Sequence, residues 1–423
     1  MPRLSALARD LAPETAFTVL ARARALKSQG RDIIELEIGD SPFPTTPAAR
    51  AAGIRAIEEG RTGYGPSLGI PEFRRAAATS LRSEFGLPVE TENIVVASGA
   101  KPFEQYWAEA LLEPGDGVLI FGPKFPTYVP NLDRRGARAV VVPLLASEQF
   151  RPRASAVREF LRTDPRPRGL ILNSPHNPTG GVATEADLAE IADAVRGTDL
   201  AVFSDEPYCH MVWEGRHNSI LAQPGMIDHV VAAYTFSKSY SMSGWRIGFA
   251  AAHPEVVEAI GKLINTSASC SPPFVQIAAT AALEHDSIAR EELMGKFRAK
   301  VERLADGLAK IEGMSVARPV GTFYVFPDVR AICKRLGMTS AGLAHFLMEG
   351  ADDQFGVACL GGEAFGPEGA GFLRFSCAET DERIESALRF LPDALGRKDR
   401  ARRFLAERPE FASPLATTSR GQG

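Results

Sequence analysis

The stretch TFSKSYSMSGWR occupies residues Thr235–Arg246 and carries one lysine, Lys238, among hydroxyl-bearing and small side chains. The apolar run Val230–Tyr234 precedes it and predicts a short buried strand. The largely apolar segment Trp245–Ala250 follows it, which favours an interior position for Lys238 over a solvated surface charge. Burial lowers the pKa of an amine, because the charged form loses its hydration. We therefore predict a lysine that is able to act as a nucleophile.

Residue types that bind phosphate surround this lysine. Thr235 and Ser237 offer hydroxyl groups, and Arg246 offers a guanidinium that suits phosphate oxygens. A neutral amine forms a Schiff base with an aldehyde. Lys238 beside a phosphate pocket therefore suggests pyridoxal phosphate, an aldehyde cofactor that carries a phosphate.

The extended run TFSKSYSMSGWRIG resembles the lysine signature of the class I/II aminotransferases, the aspartate aminotransferase-like enzymes of fold type I. Further motifs match this family in its own order across roughly residues 30–380, which is nearly the whole chain. The resemblance implies a pyridoxal phosphate enzyme in which Lys238 holds the cofactor as an aldimine. Its substrates would be an amino acid and a 2-oxo acid.

Composition and charge are those of a globular protein. The chain has 423 residues, which favours two domains, and its net charge of −4 does not indicate binding to nucleic acid or to a membrane. The segment Met1–Asp10 lacks the apolar core of a signal peptide. The five cysteines are scattered and form no CxxC pair, so we expect neither a metal site nor a disulfide framework. A cytoplasmic location is the expectation.

The order of predicted elements gives the fold class. Strands alternate with helices through residues 46–285, which predicts a largely parallel α/β sheet with its sites at the C-terminal ends of strands. The resemblance implies the mainly parallel, seven-stranded sheet of the fold type I enzymes and a smaller α+β domain. We expect a large cofactor-binding domain at 46–289, a small domain from 1–45 plus 290–396, and a flexible tail at 397–423.

A second phosphate contact is predicted where a buried strand runs into a helix. The turn between them contains Gly99, Ala100 and Lys101. Free backbone N–H groups and the helix dipole make a helix N-terminus a favourable anion site. The resemblance implies that these three residues hold the cofactor phosphate.

Three further motifs supply residues around the cofactor ring. The resemblance implies that Phe125 stacks on the ring, and that Asn177, in NSPHNPTGG, and Tyr208, in DEPY, contact its phenolate oxygen. Asp205 would keep the ring nitrogen protonated, so that the ring withdraws electrons. His176 lies in the same loop as Asn177 at a position that varies in the family, so we interpret it as a loop residue.

Substrate contacts and assembly also follow from the resemblance. Arg374, in RFSCA, would bind the substrate α-carboxylate through its planar fork. Gly39 and Asn177 would also line the substrate site. Tyr64 would reach the cofactor phosphate of a neighbouring subunit, which implies a homodimer.

Substrate identity stays open at this level. Lys101 either meets a distal substrate carboxylate or is a solvated lysine at a helix start. No arginine lies in the segment before Pro272–Pro273, and Ala16 stands where one branch of the family places a threonine. Glu363 makes a substrate-side loop atypical. We therefore expect a broad donor range, including neutral or aromatic amino acids.

Two alternatives to transamination remain open. One is a β-elimination C–S lyase of the same fold, because the cofactor site alone does not decide between the reactions. The other is a regulatory domain that senses pyridoxal phosphate. Such a domain normally carries an appended DNA-binding domain, and we expect the short N-terminal segment to leave no room for one.

Overall fold

The computed structural model describes residues 2–413. The strands are β1 (Asp32–Glu35), β2 (Ile94–Ala97), β3 (Gly117–Gly122), β4 (Arg138–Pro143), β5 (Pro167–Asn173), β6 (Ala201–Asp205), β7 (Val230–Thr235), β8 (Gly248–Ala251), β9 (Tyr324–Val325), β10 (Phe355–Ala358), β11 (Leu360–Gly361) and β12 (Leu373–Ser376). The helices are α1 (Ala6–Asp10), α2 (Thr15–Ser28), α3 (Pro47–Glu58), α4 (Pro71–Phe85), α5 (Lys101–Leu111), α6 (Tyr128–Arg135), α7 (Ala154–Thr163), α8 (Glu185–Val195), α9 (Phe236–Ser239), α10 (Pro254–Ala268), α11 (Pro273–His285), α12 (Ser287–Leu308), α13 (Arg330–Leu336), α14 (Ser340–His345), α15 (Asp381–Gly396) and α16 (Lys398–Glu407).

The largest sheet within residues 2–413 has seven strands in the order β2-β8-β7-β6-β5-β3-β4. Strand β8 runs antiparallel to both of its neighbours, and the other pairs are parallel. Parallel sheets need cover on both faces, which explains why strands such as β2 and β3 are continuously apolar rather than alternating. The predicted α/β class with a mainly parallel seven-stranded sheet is confirmed.

The two faces of this sheet carry separate hydrophobic cores. Side chains along a strand point alternately to opposite faces. In β3, Leu119 and Phe121 belong to one cluster of buried residues, and Val118 and Ile120 belong to another. The carboxyl ends of the parallel strands therefore meet at one edge between two covered layers, which is where a site is expected in such folds.

A third cluster lies outside the large sheet. It joins Ile34 and Leu36 to buried side chains from helix α12 and from the chain that follows it. Strands β1 and β10 pair in parallel, and β11, β12 and β9 form a small antiparallel sheet in that order. The N-terminal segment thus packs with the C-terminal third of the described residues.

Strand β1 ends at Glu35, and beyond Leu36 the carbonyl of Glu37 accepts a hydrogen bond from the side chain of Arg374 rather than from a strand. The flexible tail predicted at residues 397–423 differs from the structure in the first part of that segment.

Helix α16 occupies the first part of that segment, and its Ala401 and Phe404 are buried. The guanidiniums of Arg397 and Arg400 hold this helix against Asp352 and Asp353. Residues 414–423 of the predicted tail lie outside the described residues. In the described part of the chain, no helix combines the length and the apolar character needed to cross a membrane.

Candidate active site

A cavity of about 540 Å³ opens where β5, β6 and β7 end. Its walls include every residue predicted for cofactor or substrate binding except Gly99 and Tyr64. The lining residues among the predicted set are Gly39, Ala100, Lys101, Phe125, Asn177, Asp205, Tyr208, Thr235, Ser237, Lys238, Arg246 and Arg374. No cluster of three or more His, Cys, Asp or Glu side chains suited to a metal ion occurs among residues 2–413.

Lys238 lies on the short helix α9, directly after the buried strand β7. Thr235 caps the N-terminus of this helix, and its hydroxyl accepts a hydrogen bond from the backbone N–H of Ser237 at 3.2 Å. The ammonium of Lys238 donates to the carbonyl of Gly39 at 2.5 Å. Burial lowers the pKa of Lys238, since the charged amine is removed from water. The amine is therefore shifted toward the neutral, nucleophilic form.

Position 39 has room only for a glycine, because the side chain of Tyr324 lies against its backbone. A Cβ atom at this position would lie 2.0 Å from the hydroxyl oxygen of Tyr324. That hydroxyl lies 3.3 Å from the hydroxyl of Tyr208, and burial raises the pKa of Tyr208 well above its ordinary value. The hydroxyl of Tyr208 therefore stays protonated, and the hydroxyls of both tyrosines line the cavity beside the lysine. Tyr324 is not among the site residues predicted from the sequence.

One end of the cavity has side chains of the types that suit a phosphate. Arg246 donates from Nη2 to the carbonyl of Ser98 at 3.1 Å, next to the N-terminus of α5. Gly99 has a φ of +103°, and a Cβ there would lie 2.7 Å from Nη2 of Arg246. Gly99 thus makes room for the guanidinium although it does not itself line the cavity. Positive charge, hydroxyl groups and free N–H groups converge at this end.

A buried carboxylate marks the position expected for the ring nitrogen. Asp205 ends β6, and its Oδ2 accepts a hydrogen bond from the hydroxyl of Tyr128 at 2.6 Å. Burial raises the pKa of Asp205 to about 6. A buried carboxylate is stabilised by a cationic partner, so a protonated ring nitrogen matches this position. Phe125 lines the cavity beside it, with its ring centroid 5.8 Å from that of Tyr128.

Arg374 on β12 is held rigidly in the wall of the cavity. Its Nη1 donates to Oδ1 of Asn177 at 3.1 Å, and its Nη2 donates to the carbonyl of Glu37. The guanidinium lies 4.2 Å from the ring centroid of Tyr324 and 5.0 Å from that of Phe365. Four separate segments therefore fix the orientation of one planar cation, which is the arrangement needed to bind a carboxylate in a defined direction.

Lys101 has a partner that the sequence did not reveal. Its ammonium forms an ion pair with the carboxylate of Glu14, and it lies 5.3 Å from the ring centroid of Phe125. Glu14, Ala16 and Phe17 from the N-terminal segment line the same cavity. No spacing rule links Glu14 to Lys101, because the two residues are 87 positions apart.

Two other polar side chains have local structural contacts. His176 is buried, its Nδ1 lies 2.7 Å from the hydroxyl of Thr179, and burial lowers its pKa to about 3. It is therefore a neutral loop residue. Glu363, in the atypical loop, accepts hydrogen bonds from the backbone and hydroxyl of Ser340 at 3.1 and 2.6 Å. Its carboxylate therefore holds the start of α14.

These observations fit pyridoxal phosphate. The cavity places a buried amine of lowered pKa, a cation with hydroxyl groups, a buried carboxylate and an aromatic ring around one volume. Those are the groups that an aldehyde, a phosphate, a pyridine nitrogen and a ring face require. Tyr64 does not line this cavity, and the residue is 93% exposed.

Comparison with known proteins agrees with this fit. Residues 31–391 match the family model for aminotransferases of class I and II. The chain is 35% identical over 392 residues to a probable aspartate/prephenate aminotransferase of Aquifex aeolicus, covering 91% of this chain and 96% of that protein. It is 32% identical over 374 residues to an arginine–pyruvate transaminase of Pseudomonas aeruginosa, covering 88% and 93%.

A solved structure extends the likeness to three dimensions. The aspartate aminotransferase of Thermus thermophilus with maleate superposes with a TM-score of 0.85 at 31% identity, over 93% of this chain and all of that chain. None of these comparisons supports the C–S lyase alternative over transamination. The chain belongs to the class I and II aminotransferases and is a pyridoxal phosphate-dependent transaminase.

Proposed function

We propose that this transaminase binds the α-carboxylate of its amino donor on Arg374 and passes the amino group to a 2-oxo acid that binds in the same orientation. The observation that carries the proposal is the fixed guanidinium of Arg374, held by Asn177 and by the carbonyl of Glu37. A planar fork binds a carboxylate bidentately, which fixes the direction of the substrate Cα.

When bound, the cofactor supplies an aldehyde that takes up the amino group and a ring that withdraws electrons. Lys238 is the proposed base. Burial lowers the pKa of its amine, and the neutral amine takes the proton from the substrate Cα and returns it in the reverse half of the reaction. The carbonyl of Gly39 orients this amine through the hydrogen bond at 2.5 Å.

Other residues of the cavity are proposed to hold the cofactor in place. Asp205 keeps a proton on the ring nitrogen, Phe125 covers the ring, and Asn177 and Tyr208 contact its phenolate oxygen. The phosphate is bound by the remaining members of the predicted set, which are Gly99, Ala100, Lys101, Thr235, Ser237 and Arg246. Their support is that all but Gly99 line one cavity, and that Gly99 makes room for Arg246.

We propose a broad range of donors, set by the ion pair of Lys101 and Glu14. The side chains of Lys101 and Glu14 are 42% and 17% exposed, so a substrate carboxylate can displace Glu14 at a cost of about 0–1 kcal/mol. Without such a substrate, the charges of Lys101 and Glu14 neutralise each other. Phe17 and Phe125 then offer apolar surface to neutral or aromatic substrate side chains. Relatives named for aspartate, prephenate and arginine are consistent with this flexibility.

A panel of donors tests the proposal. Aspartate, an aromatic amino acid and arginine are assayed with 2-oxoglutarate and with pyruvate, in the wild type, Lys101→Met and Glu14→Gln. Loss of a charged contact costs about 1.5–3 kcal/mol, so Lys101→Met should lower kcat/KM for aspartate roughly tenfold to over a hundredfold and spare the aromatic donor. Glu14→Gln should raise kcat/KM for aspartate. Lys262→Met, at an exposed position on α10, is the matched control.

Strict aspartate specificity that survives Lys101→Met would show that the side-chain pocket lies elsewhere. The same assays separate transfer from elimination. A lyase would release ammonia and pyruvate from cysteine-type donors without any 2-oxo acid acceptor.

We also propose that the active unit is a homodimer in which Tyr64 completes the phosphate site of the other subunit. The support is that Tyr64 is almost fully exposed and lies outside its own cavity, and that Ile54 and Ile57 nearby in the chain are exposed as well. A mixture of Tyr64→Ala and Lys238→Ala subunits should recover activity, because one hybrid site is then intact. Activity that stays at the sum of the two separate variants would contradict the contact in trans.

We propose the division into a domain at 46–289 and a domain from 1–45 plus 290–396. It is supported by the separate hydrophobic cluster that joins the N-terminal segment to the C-terminal third. We also propose a cytoplasmic location, and the state of the cysteines supports it. The described cysteines are free thiols, and Cys209, Cys333, Cys359 and Cys377 are buried, which suits a reducing compartment.

A further inference from the structure

Glu104 is a buried carboxyl group in the wall of the cavity to which the proposed mechanism gives no role. It lies on the first turn of α5 and is 4% exposed. Its Oε2 accepts hydrogen bonds from the hydroxyl of Thr127 at 2.6 Å and from the amide of Asn131 at 2.9 Å. Glutamate is rarely buried to this extent, because its charged form loses hydration that neutral hydrogen-bond donors only partly replace.

Two consecutive residues, Thr127 and Tyr128, donate hydrogen bonds to Glu104 and Asp205. Thr127, the residue before α6, donates to Glu104, and Tyr128, the first residue of α6, donates to Oδ2 of Asp205 at 2.6 Å. Both carboxyl groups line the cavity. Adjacent hydroxyl groups therefore fix two carboxyl groups from different elements, α5 and β6, behind the place proposed for the cofactor ring.

The surroundings of Glu104 oppose a second negative charge. Burial and the charge of Asp205 raise the pKa of Glu104 to about 8, and the hydrogen bond from Thr127 and the charge of Lys101 act in the opposite direction. The other titratable neighbour is Tyr128 on α6, whose pKa burial raises well above its ordinary value, so its hydroxyl stays neutral. Two carboxyl groups that share one buried site do not both ionise easily.

We infer that Glu104 is a positioning residue that acts through Asp205: it holds a proton at neutral pH and, on losing it in alkali, adds a second negative charge behind the cofactor ring. The inference rests on the proposed placement of the ring nitrogen against Asp205. An added negative charge favours the protonated form of the bound cofactor. The alkaline transition of the cofactor absorbance in the wild type is therefore moved to higher pH by Glu104.

The test compares holoenzymes by visible absorbance between pH 6 and 10. Glu104→Gln removes the ionisable group while keeping its size, and should move the alkaline midpoint down by roughly half a pH unit or more. Thr127→Val removes a hydrogen bond that favours ionisation of Glu104, and should move the midpoint in the same direction. Glu104→Asp keeps a carboxyl group at this position, so its midpoint should lie between those of Glu104→Gln and the wild type. Glu109→Gln removes an exposed carboxylate from the same helix, and should leave the midpoint where it is.

Midpoints of Glu104→Gln and Thr127→Val that both coincide with the wild type would overturn the inference. If Glu104→Gln fails to fold or to retain cofactor, Thr127→Val alone decides in the same way. The same experiment tests the proposed function through a different result, which is the presence of the cofactor band in the wild type. A wild type without any cofactor band would contradict the cofactor site itself, whereas a normal band with unshifted variants contradicts only the role of Glu104.

Discussion

Replacing Arg374 by lysine keeps the positive charge and removes the planar fork. A lysine offers a point charge, so one of the two charged hydrogen bonds to a substrate carboxylate is lost at about 1.5–3 kcal/mol. The guanidinium also lies 4.2 Å from the ring centroid of Tyr324, a contact that is already present without substrate and therefore does not enter this difference. The loss of about 1.5–3 kcal/mol predicts that kcat/KM for the amino donor falls roughly tenfold to over a hundredfold.

The assay measures kcat/KM for the donor at saturating 2-oxo acid, together with the visible absorbance of the bound cofactor. We expect the absorbance of Arg374→Lys to match that of the wild type, because Arg374 is assigned to substrate. Turnover of an amine that lacks the α-carboxylate should also be unchanged. Arg383→Lys is the control, since Arg383 pairs with Asp32 at 2.6 Å on the outside of the structure. If Arg374→Lys keeps the wild-type kcat/KM, the assignment of the α-carboxylate site is wrong.

Three further substitutions probe the lysine end of the cavity and its surroundings. Lys238→Ala should lose both turnover and the visible band of the lysine-bound cofactor; a variant with the spectrum and rate of the wild type would refute the assignment. Gly39→Ala should lower turnover at least tenfold, because the new Cβ meets the hydroxyl of Tyr324, whereas Gly295→Ala meets nothing within 4 Å and should be neutral or slightly stabilising. Glu37→Gln should change how stability depends on pH. Burial raises the pKa of Glu37 from 4.5 to about 7, so the folded state binds more protons than the unfolded state in this window, and the free energy of unfolding falls as pH rises through it. Thermal unfolding at pH 5 and pH 8 should show that Glu37→Gln loses less stability than the wild type, by on the order of 2 kcal/mol; an equal loss in both proteins would show that Glu37 is not held in this way.

The sequence by itself determined the elements and the order of the motifs. Apolar runs such as Val230–Tyr234 predicted buried strands, and the strand that precedes Lys238 lies where it was expected. Thr184 and Asp187 lie three positions apart in the sequence and form both hydrogen bonds of the capping box at the start of α8. These features are local, because strand burial and helix capping depend on residues within a few positions of one another. Parallel strands bring their carboxyl ends to one edge, so the residues that follow them were expected to converge.

Only the tertiary structure decided which polar groups meet inside the cavity. The ion pair of Glu14 and Lys101 joins residues 87 positions apart, and the bond from Arg374 to Asn177 joins residues 197 positions apart. The electrostatic effect of Asp205 on Glu104 depends on how α5 packs against β6. Such contacts have no periodicity to detect, because their geometry is set by the packing of whole elements and their charges matter only once burial removes the water between them. The chemistry of the site could therefore be assigned from the sequence, and the environment that sets its specificity and its proton affinities could not.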